Sequence, residues 1–211
     1  EFRAATGVGS NISIKKHIPV GGGLGGSSAD AAAVLYCLQK LTDADPSIVK
    51  EIAATVGSDV NFLMVGGYGR MRGKGDEVTP VECNLPMHFV VIDGGASVSA
   101  KDAYAAWDKV RKKPVVDCDE VARLLQSGDR KAFGLFGNAL RPKVTPMLPN
   151  YRRIARFCHD NVFPLSLTGS GGSLFIPVKD MSLARDLCKR LEAKKLSARI
   201  CSPVAVGVEE E

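Results

Sequence analysis

Ile18-Pro19-Val20-Gly21-Gly22-Gly23-Leu24-Gly25-Gly26-Ser27-Ser28-Ala29-Asp30-Ala31-Ala32-Ala33 is the stretch that decides how this chain is read. Five of its six residues from 21 to 26 are glycine, set between an alternating apolar run and an alanine-rich segment. With no side chains in the way, the backbone N–H groups of such a loop come within hydrogen-bond reach of phosphate oxygens. A helix that follows adds its unpaired N-terminal amides and the positive end of its dipole. The loop therefore points to a chain that handles nucleotides.

Working outward, residues 11–20 alternate through Ile12, Ile14, Ile18 and Val20, which predicts a strand with one buried face. A helix is predicted over 29–41, capped by Ser27 or Ser28. Asp45-Pro46 opens a second helix, with Ile48, Ile52 and Val56 on one face and Gly57 closing it. Ser58-Asp59-Val60-Asn61 then leads into apolar Phe62-Leu63-Met64-Val65, and the glycines between 66 and 75 read as strand and tight turn. A boundary is expected near 81–86, which divides the chain into domains of 1–84 and 85–211. Beyond it, strands are predicted over 87–93, 163–168, 174–178 and 198–208. Helices are predicted over 100–112, 119–127, 129–140 and 148–160, and Leu183, Leu187 and Leu191 mark one more. The mixture is an α+β pattern.

A chain of 211 residues can bury a good core in one domain or two small ones. The net charge of +5 is modest, and the basic runs Arg111-Lys112-Lys113 and Lys194-Lys195 are short enough to be solvated helix ends. Neither nucleic acid nor a membrane is expected as a partner, and no apolar run approaches the ~20 residues that span a bilayer. The six cysteines lack Cys-x-x-Cys spacing and a histidine pattern for zinc. Cys37 and Cys188 fall in apolar helical patterns and are expected in the core; all six are read as reduced thiols of a cytosolic protein. His17, His88 and His159 are scattered and carry no catalytic expectation. The chain opens on Glu1 rather than Met, with no signal peptide, and is expected to be a fragment.

Three readings compete for the glycine loop. Gly21-x-Gly23-x-x-Gly26 fits the dinucleotide fingerprint literally, but Cys37-Leu38-Gln39-Lys40-Leu41 continues a helix where a second strand should lead to the acids Asp43 and Asp45. A Walker A loop needs a lysine after its last glycine, and here Ser27 follows Gly26. A purely structural turn explains five glycines badly, because each costs chain entropy.

A fourth reading rests on resemblance. Pro19-x-x-x-Gly23-Leu24-Gly25-Gly26-Ser27-Ser28-Ala29 resembles the second motif of the GHMP kinases, which include galactokinase, homoserine kinase and mevalonate kinase. Asn11-Ile12-Ser13-Ile14-Lys15-Lys16-His17-Ile18-Pro19 resembles the strand before that motif, and Leu167-Thr168-Gly169-Ser170-Gly171-Gly172-Ser173 the third motif. Phe136-Gly137-Asn138-Ala139-Leu140 resembles an Asn-Asp-Leu helix of these kinases. Gly57-Ser58-Asp59-Val60-Asn61-Phe62 resembles a Gly-Ala-Asp-Val-Pro-Phe block, with Asn61 in place of the proline, and 67–77 the glycine-studded hairpin after it. Within the superfamily the chain most resembles kinases of a cytidine-diphosphate-linked methylerythritol, and that resemblance implies phosphorylation of its 2-hydroxyl.

The resemblance implies a two-lobed GHMP fold: a ribosomal-S5-like nucleotide lobe, shortened at its start, and a ferredoxin-like C-terminal lobe. It implies ATP and Mg²⁺, a small-molecule substrate, and a chain that is monomeric or weakly dimeric in a bacterial cytoplasm or plastid stroma. It implies that Lys16, Pro19, Gly21, Gly22, Gly23, Leu24, Gly25, Gly26, Ser27 and Ser28 hold ATP. Ser27 or Ser28 would offer a hydroxyl to the metal or a phosphate, with the metal ligands otherwise unassigned. Asp59, at an element end where a carboxylate can take a proton, becomes the general base. Ser99 and Tyr104 are implied at the substrate, with the tyrosine stacking on cytosine, and Gly169, Ser170 and Gly171 at the pocket wall. The Lys-x-Asn motif that carries a catalytic lysine in these kinases has no counterpart before Asn11, so the active site is expected to be incomplete. The alternatives are another GHMP small-molecule kinase and a nucleotide-binding module without catalysis.

Overall fold

The computed structural model describes residues 1–111 and 115–210, so Lys112 and Lys113 of the expected basic run lie outside the described residues, while the helix expected over 100–112 already ends at Asp108. Contacts group the chain into two units, and neither is continuous. One contains Glu1–His17, Gly25–Val81 and the C-terminal stretch from Val204; the other contains Ile18–Leu24 and Glu82–Pro203.

The first unit is helical with one hairpin. Helix α1 is Phe2–Thr6, α2 Gly26–Thr42, α3 Pro46–Val56 and α4 Val60–Val65. Asp45 caps α3 by accepting from the Ser47 amide at 2.8 Å, with Pro46 at the first helical position. The apolar stripes of α2 and α3, carrying Ala32, Leu35, Leu38, Val49, Ile52 and Ala53, close a small core with Val60 and Phe2. Strands β1, Gly69–Arg72, and β2, Glu77–Pro80, pair antiparallel in the predicted hairpin.

The second unit is built on β3, His88–Asp93. There follow α5, Ala100–Asp108; α6, Cys118–Gln126; α7, Ala132–Leu135; α8, Arg141–Val144; and α9, Tyr151–Asp160. Then come β4, Ser166–Leu167; β5, Ser173–Val178; α10, Met181–Glu192; and β6, Ala198–Cys201. The sheet order β4-β5-β3-β6 is antiparallel throughout, and β3, β5 and β6 are separated by helices in the ferredoxin-like manner. Val90, Ile92, Leu174 and Ile176 point to one face, where they meet Ile154, Phe157, Leu187 and Leu191 of α9 and α10. On the other face Phe89, Phe175 and Phe136 form a tilted aromatic cluster, with Phe89 and Phe175 edge to face at 5.6 Å between centroids.

Several expectations need correction. Residues 11–20 form no strand: Ile12, Ile14 and Val20 are 55%, 50% and 76% exposed, and no strand among the described residues pairs with them. Alternation is a pattern; a strand also needs a neighbour to take its hydrogen bonds. The helix expected over 29–41 begins earlier, and its N-cap is Gly25 in the left-handed region rather than Ser27 or Ser28, which lie in the first turn. The helix over 129–140 shrinks to α7, because Gly137 and Asn138 oppose a helix beyond it, so the Asn-Asp-Leu helix is also absent. The last strand stops at Cys201, and the chain from Val204 returns to the first unit, where the Gly67 amide donates to the Val204 carbonyl at 3.1 Å. Cys37 is exposed, since it falls off the Ala32–Leu35–Leu38 stripe, whereas Cys188 packs against the core. All six cysteines are free thiols, and burial pushes that of Cys158 up to about 11.

Candidate active site

The glycine loop is divided between the two units, and each part is shaped by its own surroundings. In the second unit, the carbonyls of Val20, Gly21 and Gly22 are all turned into the protein. Ser97 Oγ donates to Val20 at 2.9 Å, the Val98 amide to Gly21 at 3.2 Å, and Thr168 Oγ1 to Gly22 at 3.0 Å. The amides of Gly23 and Leu24 make no hydrogen bond among the described residues. Anchored carbonyls and open amides are what an anion needs from a peptide loop.

Gly23 has φ +70°, and a Cβ there would overlap the carbonyl oxygens of Thr168 and Gly171 and lie 2.8 Å from the Gly171 amide nitrogen. The loop thus rests backbone to backbone on residues 168–171, the tight turn joining β4 to β5. Gly169, Ser170 and Gly171 stand in this turn, so the structure brings them together with Gly21, Gly22 and Gly23. Pro19, Val20, Gly22 and Leu24 line a cleft of about 570 Å³ with Asp93 and Arg199.

In the first unit, the amides of Gly26, Ser27 and Ser28 occupy the first turn of α2, where an α-helix leaves its N–H groups unpaired. Ser27 and Asp30 line a cleft of about 920 Å³ together with Ile12, Ile14 and Leu35. Lys16 is not on a strand; its ammonium is paired with the carboxylate of Asp30, one turn into α2. The Ser28 hydroxyl lies close to Gly57, the residue that closes α3 and begins the Gly57-Ser58-Asp59 turn. The tip of the β1–β2 hairpin braces the same turn: Gly75, at φ +88°, comes so close to the Ser58 backbone that a Cβ would sit 2.6 Å from its carbonyl carbon.

Asp59 holds the cap position of α4, yet its side chain makes no capping bond. It has no hydrogen bond or ion pair among the described residues, unlike Asp45, Asp117 and Asp180, which each accept from an amide of their helix. In the second unit, Ser99 caps α5: it accepts from the Asp102 amide at 3.0 Å and donates to the Asp102 carboxylate at 2.7 Å. Tyr104, on the same helix, is 57% exposed rather than packed.

Three residues that shape the loop went unassigned in the sequence reading: Ser97, Thr168 and Asn138. Asn138 Nδ2 donates to the carbonyls of Leu167 at 3.0 Å and Gly169 at 2.7 Å, and its Oδ1 accepts from the Leu140 amide at 2.9 Å. One side chain thus fixes the first half of the turn that supports Gly23. The available signal was Phe136-Gly137-Asn138, where glycine and asparagine speak against a helix and for local backbone bonding. Asn138→Ala is expected to destabilise the protein by roughly 1–3 kcal/mol, because its partners lose their bonds. It should also raise the KM for nucleotide more than it lowers kcat; thermal melts beside steady-state kinetics check both.

Residues 1–67 match the family model described as the GHMP kinases N terminal domain. The chain is 33% identical over 195 residues to the 4-diphosphocytidyl-2-C-methyl-D-erythritol kinase of Pelotomaculum thermopropionicum, a match covering 90% of this chain and 68% of that protein. A crystal structure of 4-(cytidine 5'-diphospho)-2C-methyl-D-erythritol kinase superposes with a TM-score of 0.69 at 27% identity, covering 90% of this chain and 68% of the other. The homoserine kinase of Cytophaga hutchinsonii superposes with a TM-score of 0.70 at 17% identity, covering 91% of this chain and 69% of the other, a likeness of fold alone.

Proposed function

This chain belongs to the 4-diphosphocytidyl-2-C-methyl-D-erythritol kinase family of GHMP kinases, and we propose that it transfers the γ-phosphoryl group of ATP to the 2-hydroxyl of that cytidyl substrate. The reaction serves non-mevalonate isoprenoid synthesis. The observation that carries the reading is the glycine loop with the carbonyls of Val20, Gly21 and Gly22 bound inward and the amides of Gly23 and Leu24 left open.

Phosphoryl transfer asks a protein for positioning and charge neutralisation more than for covalent chemistry. The open amides of Gly23 and Leu24 receive phosphate oxygens, and the unpaired first-turn amides and dipole of α2 attract phosphate in the same way. Lys16 brings a positive charge toward the nucleotide, and Asp30 holds it until the phosphates compete for it. Asp59 accepts the proton of the attacking hydroxyl, a task for which an uncommitted carboxylate is suited. Tyr104 offers an exposed ring to the cytosine, since any base presents a π-face, and Ser99 sets the start of its helix.

Mg²⁺ fits as a partner of the nucleotide rather than of a protein cage. No three His, Cys, Asp or Glu side chains gather into a metal site among the described residues. Mg²⁺ usually keeps waters and is shared between substrate phosphates and one or two protein oxygens. Ser27 and Ser28 supply hard hydroxyl oxygens at the head of α2. When bound, the ion neutralises charge on the β- and γ-phosphates. No helix among the described residues is long and apolar enough to cross a membrane. The free thiols support a reducing compartment, a bacterial cytoplasm or plastid stroma.

The test is phosphate transfer from ATP to three alcohols offered separately to the protein: the cytidyl methylerythritol, homoserine and mevalonate. Product from the first alone supports the proposal. Preference for either of the others assigns the chain a different substrate.

A further inference from the structure

A cluster of cations lies on α9 and the turn between α10 and β6, and it shares no residue with the glycine loop or the other residues of the proposed site. Arg152, Arg153 and Arg156 of α9 and Lys194 line a cleft of about 490 Å³, floored by Phe157 and Leu196. Arg153 donates to the Lys194 carbonyl, which ties the two walls together. Arg190 stacks over the Phe157 ring, 5.2 Å from its centroid, and donates to Asn161 Oδ1, which fixes the floor. Arg152 and Arg156 make no hydrogen bond or ion pair among the described residues. The cleft also contains one carboxylate, Asp160, which lies 3.4 Å from His159 Nδ1. Four cations against that acid leave the cleft strongly positive.

We propose that this cleft binds the phosphate chain of an oligophosphate-bearing small molecule. Guanidinium groups match phosphate oxygens with paired N–H donors, and the two uncommitted arginines are the ones free to do so. The volume lies in the range of small-molecule sites, about 300–1,000 Å³, which suits a di- or triphosphate better than an extended polymer. The buried floor holds the arginine-bearing face of α9 in place, so the cations need little rearrangement to converge.

Sodium tripolyphosphate is the probe, and the arginine Nε–H NMR signals of the protein are the readout. Arg152 and Arg156 are expected to shift together and saturate. The double variant Arg152→Ala/Arg156→Ala should weaken binding at the cleft by about tenfold or more, with the melting temperature unchanged. Arg152→Lys/Arg156→Lys should recover only part of it, because charge returns without the planar fork. An ATP arm identifies the source: equal affinity assigns recognition to the phosphate chain alone, and tighter binding of ATP assigns it to a nucleotide. Shifts at these arginines that never saturate, or an unchanged isotherm in the alanine double variant, overturn the proposal. So does a duplex oligonucleotide that shifts them where tripolyphosphate does not.

Discussion

Gly23→Ala is expected to lower kcat/KM by about 10²-fold or more, the penalty that attends a misplacement of ~1 Å at a reacting centre. The alanine methyl would overlap two carbonyl oxygens, those of Thr168 and Gly171, and approach the Gly171 amide to 2.8 Å, where ordinary contact begins near 3.4 Å. All three obstacles are backbone atoms, so no rotamer change relieves the clash. Either the loop or the β4–β5 turn must move, and that movement would carry the open amides of Gly23 and Leu24 away from the phosphates. Gly25→Ala provides the contrast. Its Cβ would meet only Leu63 Cδ1, at 3.7 Å, so the penalty is that of a left-handed φ of +67°. That strain is roughly 1–2 kcal/mol, and about 5–30-fold in nucleotide affinity at most. Isothermal titration with ATP, beside thermal melts, ranks the two variants. A Gly23→Ala protein that binds ATP as well as Gly25→Ala does would show that the contact with residues 168–171 does not shape the phosphate site.

Asp59→Asn carries the second large expectation: kcat falls by about 10²–10⁴-fold, while ATP affinity and melting temperature stay at wild-type values. The substitution keeps the shape of the side chain and removes its basicity. Stability should hold because the Asp59 side chain makes no capping bond to α4. Asn61 stands two residues on, in α4, and its buried Nδ2 has no partner among the described residues, so the conservative change at 59 is preferable to truncation beside an unsatisfied group. Wild-type turnover by Asp59→Asn would remove the base assignment. Loss of ATP binding in parallel with turnover would reassign the residue to holding the nucleotide.

The features legible in the sequence were those with local causes. The Asp45-Pro46 cap, the glycine hairpin over 66–75, the leucine stripe of α10 and the glycine loop itself each follow from neighbouring residues, and each stands where its pattern points. What eluded reading depends on distant parts of the chain. Ile12, Ile14, Ile18 and Val20 alternate as a strand does, but pairing is decided elsewhere, and none forms. Likewise the return of residues from Val204 to the first unit has no local signature. The candidate site follows the same division. Asp59 and the loop were legible as residue types in suggestive places, whereas Ser97, Thr168 and Asn138 gain meaning only because the fold brings them under the loop. Helix capping is the intermediate case. Ser27 and Ser28 are good caps by residue type, yet Gly25 takes that position because it alone among the three tolerates a left-handed φ without strain, leaving both serines inside the first turn.

The central claim is that triphosphate oxygens rest on the open amides of the glycine loop. Backbone amide NMR shifts, followed while a non-hydrolysable ATP analogue is added with Mg²⁺, test it most directly. The largest shifts should fall on Gly21, Gly22, Gly23, Leu24, Gly25, Gly26, Ser27 and Ser28, and saturate with a single affinity. Saturable shifts centred on another part of the chain, with those eight amides unmoved, would contradict the account.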